Sequence, residues 1–383
     1  MPIINDLYYV GVFDRRDTLF EAQYPVPDGI SYNSYVLMDD RVAVFDTVDG
    51  AYTEEWLGRL HDILQGRTPD YLIVSHMEPD HSAGIAAFAA RYPKAMIFAS
   101  HKAFQIMRSY YGDAYETRQR VIVDGDTLTL GRHELTFYSA PMVHWPEVTV
   151  TYDRTDGTLF SADAFGRFGP LDDTYPWDDE AARYYFGIVG KFGSQVTALL
   201  KKLAKLPIAR ICPLHGPTLT DIPHALARYT LWASYRPEKR GTVIAYASVY
   251  GHTAAVVNEL RAMLKDEVVT YDLVTCDMTK AVADAFRYDT LIVAAATYNM
   301  DVFPPMRTFL HHLKAREFQQ RTVGFIENGT WAPMAATVMR RLLEKCDALD
   351  LPSENVTVRG TLDTLSREKL RALAAEINER HDK

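Results

Sequence analysis

Between Tyr71 and Ala83 the chain reads YLIVSHMEPDHSA. Residues 71–75 are apolar and rich in strand-forming types, so they are expected to form a buried strand. Whatever follows such a strand leaves the edge of a sheet, where a loop can turn several side chains towards one point. His76, Glu78, Asp80 and His81 fall there within six residues. Imidazole with two carboxylates is a harder, more oxygen-rich set than the thiolate cages of structural zinc. The three cysteines, Cys212, Cys276 and Cys346, form no C-x-x-C pair, which excludes a four-cysteine iron site and a zinc ribbon. Four ligands so closely spaced suggest two metals, which six or seven ligands would serve.

The remaining ligands are expected downstream, and three positions share the same grammar of strand, ligand and loop. His144 lies in PMVHWPE after the alternating run ELTFYSAP, Asp163 in TLFSADAFG, and His215 in ARICPLHGP. The other eight histidines lack it. His61, His311 and His312 sit in helical patterns and His381 in the charged tail. His101, His133, His224 and His252 fall in helix starts or turns, where solvated or locally hydrogen-bonded roles are expected.

This arrangement resembles the metallo-β-lactamase superfamily, an αββα sandwich with a binuclear site at the sheet edge. Its hydrolases carry His-x-His-x-Asp-His and bind zinc. Glu78 stands here at the second position, and His-x-Glu-x-Asp-His followed by His, Asp and His resembles the flavodiiron proteins. A carboxylate in place of imidazole favours iron, because anionic oxygen stabilises the more highly charged ferric form.

From Thr242 onwards the chain changes character. TVIAYASVYGHTAAVVNELRAML reads as strand, loop and amphipathic helix, with the loop Ser248, Val249, Tyr250, Gly251, His252 and Thr253 at the helix start. Backbone N–H groups at a helix N-terminus favour a phosphate, and the Ser and Thr hydroxyls add donors. Two later strands end in Thr297, Tyr298, Asn299, Met300 and Asp301, and in Asn328, Gly329, Thr330, Trp331 and Ala332. Each places an aromatic and small polar residues beyond a strand's C-terminal end, where ligands bind in doubly wound sheets. The three loops resemble those of flavodoxins, which hold FMN, although ENGTWAP replaces the commoner Gly-Ser-rich third turn.

A β-lactamase-like diiron module followed by a flavodoxin module is the organisation of the flavodiiron proteins (A-type flavoproteins), and the resemblance covers essentially the whole chain. It implies two non-haem irons and FMN. His76, Glu78 and His144 would ligate one iron, Asp80, His81 and His215 the other, with Asp163 bridging. It further implies reduction of dioxygen to water, of nitric oxide to nitrous oxide, or both, protecting an anaerobic or microaerobic cell. A head-to-tail homodimer or dimer of dimers, fed by an external rubredoxin or a reduced deazaflavin cofactor, is the family arrangement. The rival readings are a zinc hydrolase with a flavodoxin-like scaffold, opposed by Glu78, and an electron carrier with a vestigial metal site.

The expected architecture is therefore a two-domain chain of α/β and α+β class. An αββα metallo-β-lactamase-like sandwich over residues 1–236 precedes a linker at 237–241 and a flavodoxin-like, doubly wound parallel sheet of five strands over 242–383. A hairpin is expected to turn at Asp156-Gly157, and long helical periodicity covers 179–204 and 217–233. The length of 383 residues suits two cores. The net charge of -9 argues against a nucleic-acid binder. No signal peptide or membrane-spanning run is apparent, and the sparse, unpaired cysteines favour a reducing cytoplasm.

Overall fold

Short apolar strands with turn residues between them dominate the first part of the chain, and strands alternating with helices the second. The computed structural model describes residues 2–16, 19–172 and 174–382. They form two compact units, Met1–Thr230 and Leu231–Lys383.

In the first unit a seven-stranded sheet runs in the order Pro2–Ile4, Leu7–Tyr9, Tyr35–Met38, Val42–Phe45, Tyr71–Ile73, Met96–Ser100 and Gln119–Ile122. A five-stranded sheet runs Thr127–Thr129, Glu134–Ser139, Thr149–Asp153, Thr158–Phe160 and Arg210–Cys212. Their inner faces share one buried cluster that includes Leu37, Phe45, Ile73, Phe137 and Phe160. Phe45 and Phe160 stack across it with ring centroids 3.7 Å apart; each buried ring contributes roughly 1.5–3 kcal/mol. The helix Thr53–Leu64 covers an outer face with Trp56, Leu57, Leu60 and Leu64. The expected hairpin is present: Thr149–Asp153 pairs antiparallel with Thr158–Phe160, and Gly157 takes φ 66° in the turn.

The second unit is a sheet of five parallel strands in the order Val268–Asp272, Lys239–Ala247, Tyr288–Tyr298, Thr322–Asn328 and Val356–Val358, with the short strand Asp301–Val302 added antiparallel. The chain order reverses between Lys239–Ala247 and Tyr288–Tyr298, so the loops after these two strands flank the switch point.

Several expectations need correction. Lys239–Gly241, placed in a linker, are the first residues of a strand. The helical run at 179–204 is interrupted: helix Trp177–Tyr184 opens into a π-turn at Tyr185–Val189 before helix Gly193–Leu203. The opened turn lets the Gly187 carbonyl accept from the Tyr24 hydroxyl at 2.7 Å. The next helix begins only at Ile222. His381, in the charged tail, is buried at the end of helix Thr364–Asp382, with Nδ1 2.9 Å from Asp266 and Nε2 2.9 Å from Thr290 Oγ1. Among the described residues, no helix is long and apolar enough to cross a membrane.

Candidate metal and flavin sites

Each expected metal ligand stands just past a strand of the first unit, and the backbone there is pinned by buried polar groups. Beyond Tyr71–Ile73, the Asp46 carboxylate accepts from the N–H groups of Ser75 at 2.7 Å and His76 at 3.2 Å. The chain then enters the short helix Pro79–Ser82, whose His81 carbonyl accepts from Thr47 Oγ1 at 2.7 Å. After Thr158–Phe160, Ala162 and Phe165 adopt positive φ, and the Ser161 hydroxyl donates to the Ala164 carbonyl at 2.7 Å, looping around Asp163. After Arg210–Cys212, Asn33 Nδ2 donates to the carbonyls of Pro213 and Gly216, each at 2.8 Å, on either side of His215. Gly216 has φ 81°, and a Cβ there would lie 2.8 Å from Arg167 Cγ, so only glycine fits.

All seven residues converge, with ligating atoms grouped as His76, Glu78, His144 and Asp163, and as Asp80, His81 and His215. Asp163 stands between the two groups. Its Oδ2 lies 2.9 Å from His144 Nε2 and 3.4 Å from His76 Nε2, while its Oδ1 lies 3.2 Å from His81 Nε2 and 3.8 Å from His215 Nε2. Burial opposes charge on these groups, yet mutual attraction outweighs it. His76 is carried well above the usual imidazole range by Asp163, Glu147 and Glu78, and His144 to about 9 by Asp163 and Glu78. Glu78 is held down to about 2 by His144 and His76, and Asp163 well below the carboxylate range by His76, His144 and His81.

Sequence reasoning missed the groups that orient these ligands. His76 Nδ1 lies 2.8 Å from Oε1 of the buried Glu147, which also accepts from Met77 N at 2.9 Å. His215 Nδ1 donates to the Ser31 carbonyl at 2.7 Å. Each contact fixes the tautomer, turning the Nε2 lone pair inwards. Glu147 stands three residues from His144 in the quoted PMVHWPE, but nothing local marks it as a partner of His76. His133, expected to be solvated or locally bonded, is fully buried with Nδ1 2.7 Å from Asp153. It also groups with Asp6 and Asp156 in a metal-like cluster. A cation is already there: Arg132 Nη2 reaches Asp6 at 2.6 Å, Asp156 at 3.2 Å and His133 Nε2 at 2.7 Å.

In the second unit the three expected loops enclose a cavity of about 280 Å³. Ser248, Val249, Tyr250, His252, Thr253, Thr297, Tyr298, Asn299, Met300, Asn328, Gly329, Thr330 and Trp331 line it, joined by Ala296 and Gly360. Gly251, Asp301 and Ala332, also expected to touch the ligand, are not in the lining. Gly251 is the N-cap of helix His252–Arg261 at φ 86°, and Asp301 is committed to Arg307 and to Val302 N. Two expected contacts serve the loops themselves. Thr297 Oγ1 accepts from the N–H groups of Met334 at 2.9 Å and Ala335 at 3.1 Å, and the Asn328 amide makes two bonds to the Gly360 backbone at 2.9 and 3.0 Å. Tyr250 and Trp331 are 88% and 72% exposed, leaving broad aromatic faces open for a flat ligand.

Residues 30–216 match the ODP family beta lactamase and residues 243–374 the flavodoxin domain. The chain is 29% identical over 327 residues to the nitric oxide reductase of Moorella thermoacetica, covering 82% of each chain. Its fold superposes on the rubredoxin oxygen:oxidoreductase of Desulfovibrio gigas with a TM-score of 0.93 at 25% identity, covering 100% of this chain and 98% of that one. The chain belongs to the flavodiiron protein family. The flavodiiron protein of Giardia intestinalis shares the fold at a TM-score of 0.91 and 24% identity, over 99% of this chain and 96% of that one. The family's cofactors are two non-haem irons and FMN, and the residues of this flavodiiron protein fit them. Imidazole nitrogens face carboxylate oxygens, and His81 and His215 set Nε2 against Nε2 at 3.0 Å, a donor set that suits cations. Both oxygens of Asp80 and Oδ1 of Asp163 are buried without a hydrogen bond. The phosphate-type loop carries no acidic residue in the helix's first turn.

Proposed function

We propose that this flavodiiron protein reduces dioxygen to water, nitric oxide to nitrous oxide, or both, at a diiron centre fed by FMN. The observation that carries the reading is Asp163, whose two oxygens each face a different imidazole pair. His76, Glu78 and His144 would hold one iron, Asp80, His81 and His215 the other, with Asp163 between them. When bound, the irons offer open positions and one electron each, and FMN supplies two more that it can release singly.

The chain's own residues orient, admit and shield. Glu147 and the Ser31 carbonyl hold His76 and His215 in the ligating tautomer. Phe20 and Tyr184 pack against the His215 ring at 5.3 and 5.4 Å, excluding water behind it. A cavity of about 530 Å³ reaches Glu78 and Asp80 past Leu19, Phe20, Ala22 and Pro79, a lining suited to a small uncharged gas. Glu21 and Asp49 add carboxyl groups to that lining, and Glu21 can hold a proton consumed by either reduction. At the other cofactor, Ser248, His252 and Thr253 at the helix start would take the FMN phosphate, and Tyr298 and Trp331 its ring.

The names of the relatives point to both gases, so the reading covers both. We assign the electron supply to an external rubredoxin or reduced deazaflavin, the assembly to a head-to-tail homodimer or dimer of dimers, and the location to the cytoplasm. Metal and flavin analysis followed by anaerobic stopped-flow tests the function. Two irons and FMN per chain, with rapid reoxidation of the reduced protein by either gas, is the expected result. Zinc without flavin, flavin without metal, or a reduced protein indifferent to both gases would overturn it.

A further inference from the structure

The two metal-binding groups are matched in what faces the metals and unmatched in what stands behind. Each side has two imidazoles and one carboxylate and shares Asp163. Behind His76 lies a charge: Glu147 Oε1 is 2.8 Å from Nδ1, and the side chain is 0% exposed. Its Oε2 is buried and makes no hydrogen bond among the described residues. Behind His215 lies only the neutral Ser31 carbonyl at 2.7 Å, and His81 Nδ1 makes no hydrogen bond. Asp46, also buried here, spends its Oδ1 on backbone N–H groups rather than on an imidazole. A carboxylate bonded to an imidazole makes it a stronger donor, and a negative charge in a dry setting favours the more positive state of a nearby metal.

We propose that Glu147 makes the two iron positions electronically unequal, so that the iron held by His76, Glu78 and His144 has the lower reduction potential. The half-oxidised pair is then an ordered state, with its ferric ion on the Glu147 side. This inference rests on the ligand assignment proposed above, and iron content separates the two. A wild-type chain that does not hold two irons overturns the assignment and this inference with it.

With two irons bound, a redox titration followed by electron paramagnetic resonance reads the interval between the two iron couples. Glu147→Gln keeps the shape and removes the charge. The lower iron couple is expected to rise and the interval to narrow, while the FMN couples stay in place. Ser100→Ala is the structural control, because Ser100 Oγ donates to the Glu147 backbone carbonyl at 2.9 Å and leaves the carboxylate untouched. An unchanged interval in E147Q, or equal narrowing in S100A, overturns the proposal. Should E147Q release iron, cobalt(II) titrated into the metal-free protein reads the same asymmetry. Weakening confined to one of two sites supports it, and equal weakening of both refutes it.

Discussion

Asn33 offers a direct test of how the fold holds His215. It is fully buried, and its amide donates to the carbonyls of Pro213 and Gly216, both at 2.8 Å. Its own backbone N–H donates to Leu214 at 2.9 Å and survives substitution. Asn33→Ala therefore orphans the Gly216 carbonyl, at about 1–3 kcal/mol, while the Pro213 carbonyl keeps the Tyr35 hydroxyl at 2.7 Å. Asn33 Oδ1 has no hydrogen bond in the native fold, so its removal returns part of that cost. A net loss of about 1–3 kcal/mol follows, which lowers Tm by about 2–12 °C for a unit of this size. Because the same carbonyls bracket His215, cobalt(II) binding to the metal-free protein should weaken about 10- to 100-fold at one of the two sites. Thermal unfolding by circular dichroism gives the first quantity and cobalt absorption the second, with flavin fluorescence reporting separately on the FMN-binding unit. A loss under about 0.5 kcal/mol would mean the Gly216 carbonyl finds another donor. Lost stability with unchanged cobalt affinity would refute the link to His215.

Three further outcomes are expected. Trp331→Ala should weaken FMN binding to the apoprotein about 2- to 10-fold by fluorescence titration, since an aromatic stack adds roughly 0.5–1.5 kcal/mol beyond area; an unchanged Kd would remove Trp331 from the ring site. His144, raised to about 9 in the metal-free fold, holds a proton at pH 7 that a metal must displace. Metal affinity should therefore rise with pH and flatten above about 9, while the metal-free fold loses the stability of that proton over the same climb. Calorimetry in buffers of different ionisation heat measures the release, and none at pH 7 would contradict the reading. Glu78→His should lower retained iron relative to zinc by elemental analysis, and an unchanged ratio would show that position 78 does not select the metal.

What was legible in the sequence is what local pattern controls. A strand of apolar residues ending in a polar loop must deliver that loop to a sheet edge, so the convergence of His76, His144, Asp163 and His215 follows from four such strands. The loops at the switch point follow likewise from alternation of strand and helix. The orienting groups were hidden because their partners lie far along the chain, 71 residues for Glu147 and His76 and 184 for Ser31 and His215. Gly360 lines the flavin cavity and is bonded there by the Asn328 side chain, 32 residues away. His133 and His381 have surface-like surroundings in sequence, and burial comes from carboxylates supplied by other elements. The break at 185–192 keeps an apolar helical pattern, and the tertiary bond from Tyr24 marks the opened turn.

Charge explains why positions 78 and 147 both matter. Two ferrous ions would bring four positive charges against the three carboxylates of the proposed ligand set, Glu78, Asp80 and Asp163. Glu147, buried behind His76, supplies a fourth negative charge, so the pair is balanced where an unbalanced buried charge is costly. Asp46 stands one step further out on backbone N–H groups, and burial pushes its carboxyl up to about 6. Zinc has no second charge state for these anions to stabilise, whereas a pair whose charge rises by two on oxidation gains from each of them. Histidine at position 78 would remove one anion from the ligands themselves. The surplus of buried carboxylates, more than the spacing of the motif, is what suits this pocket to a redox-active pair.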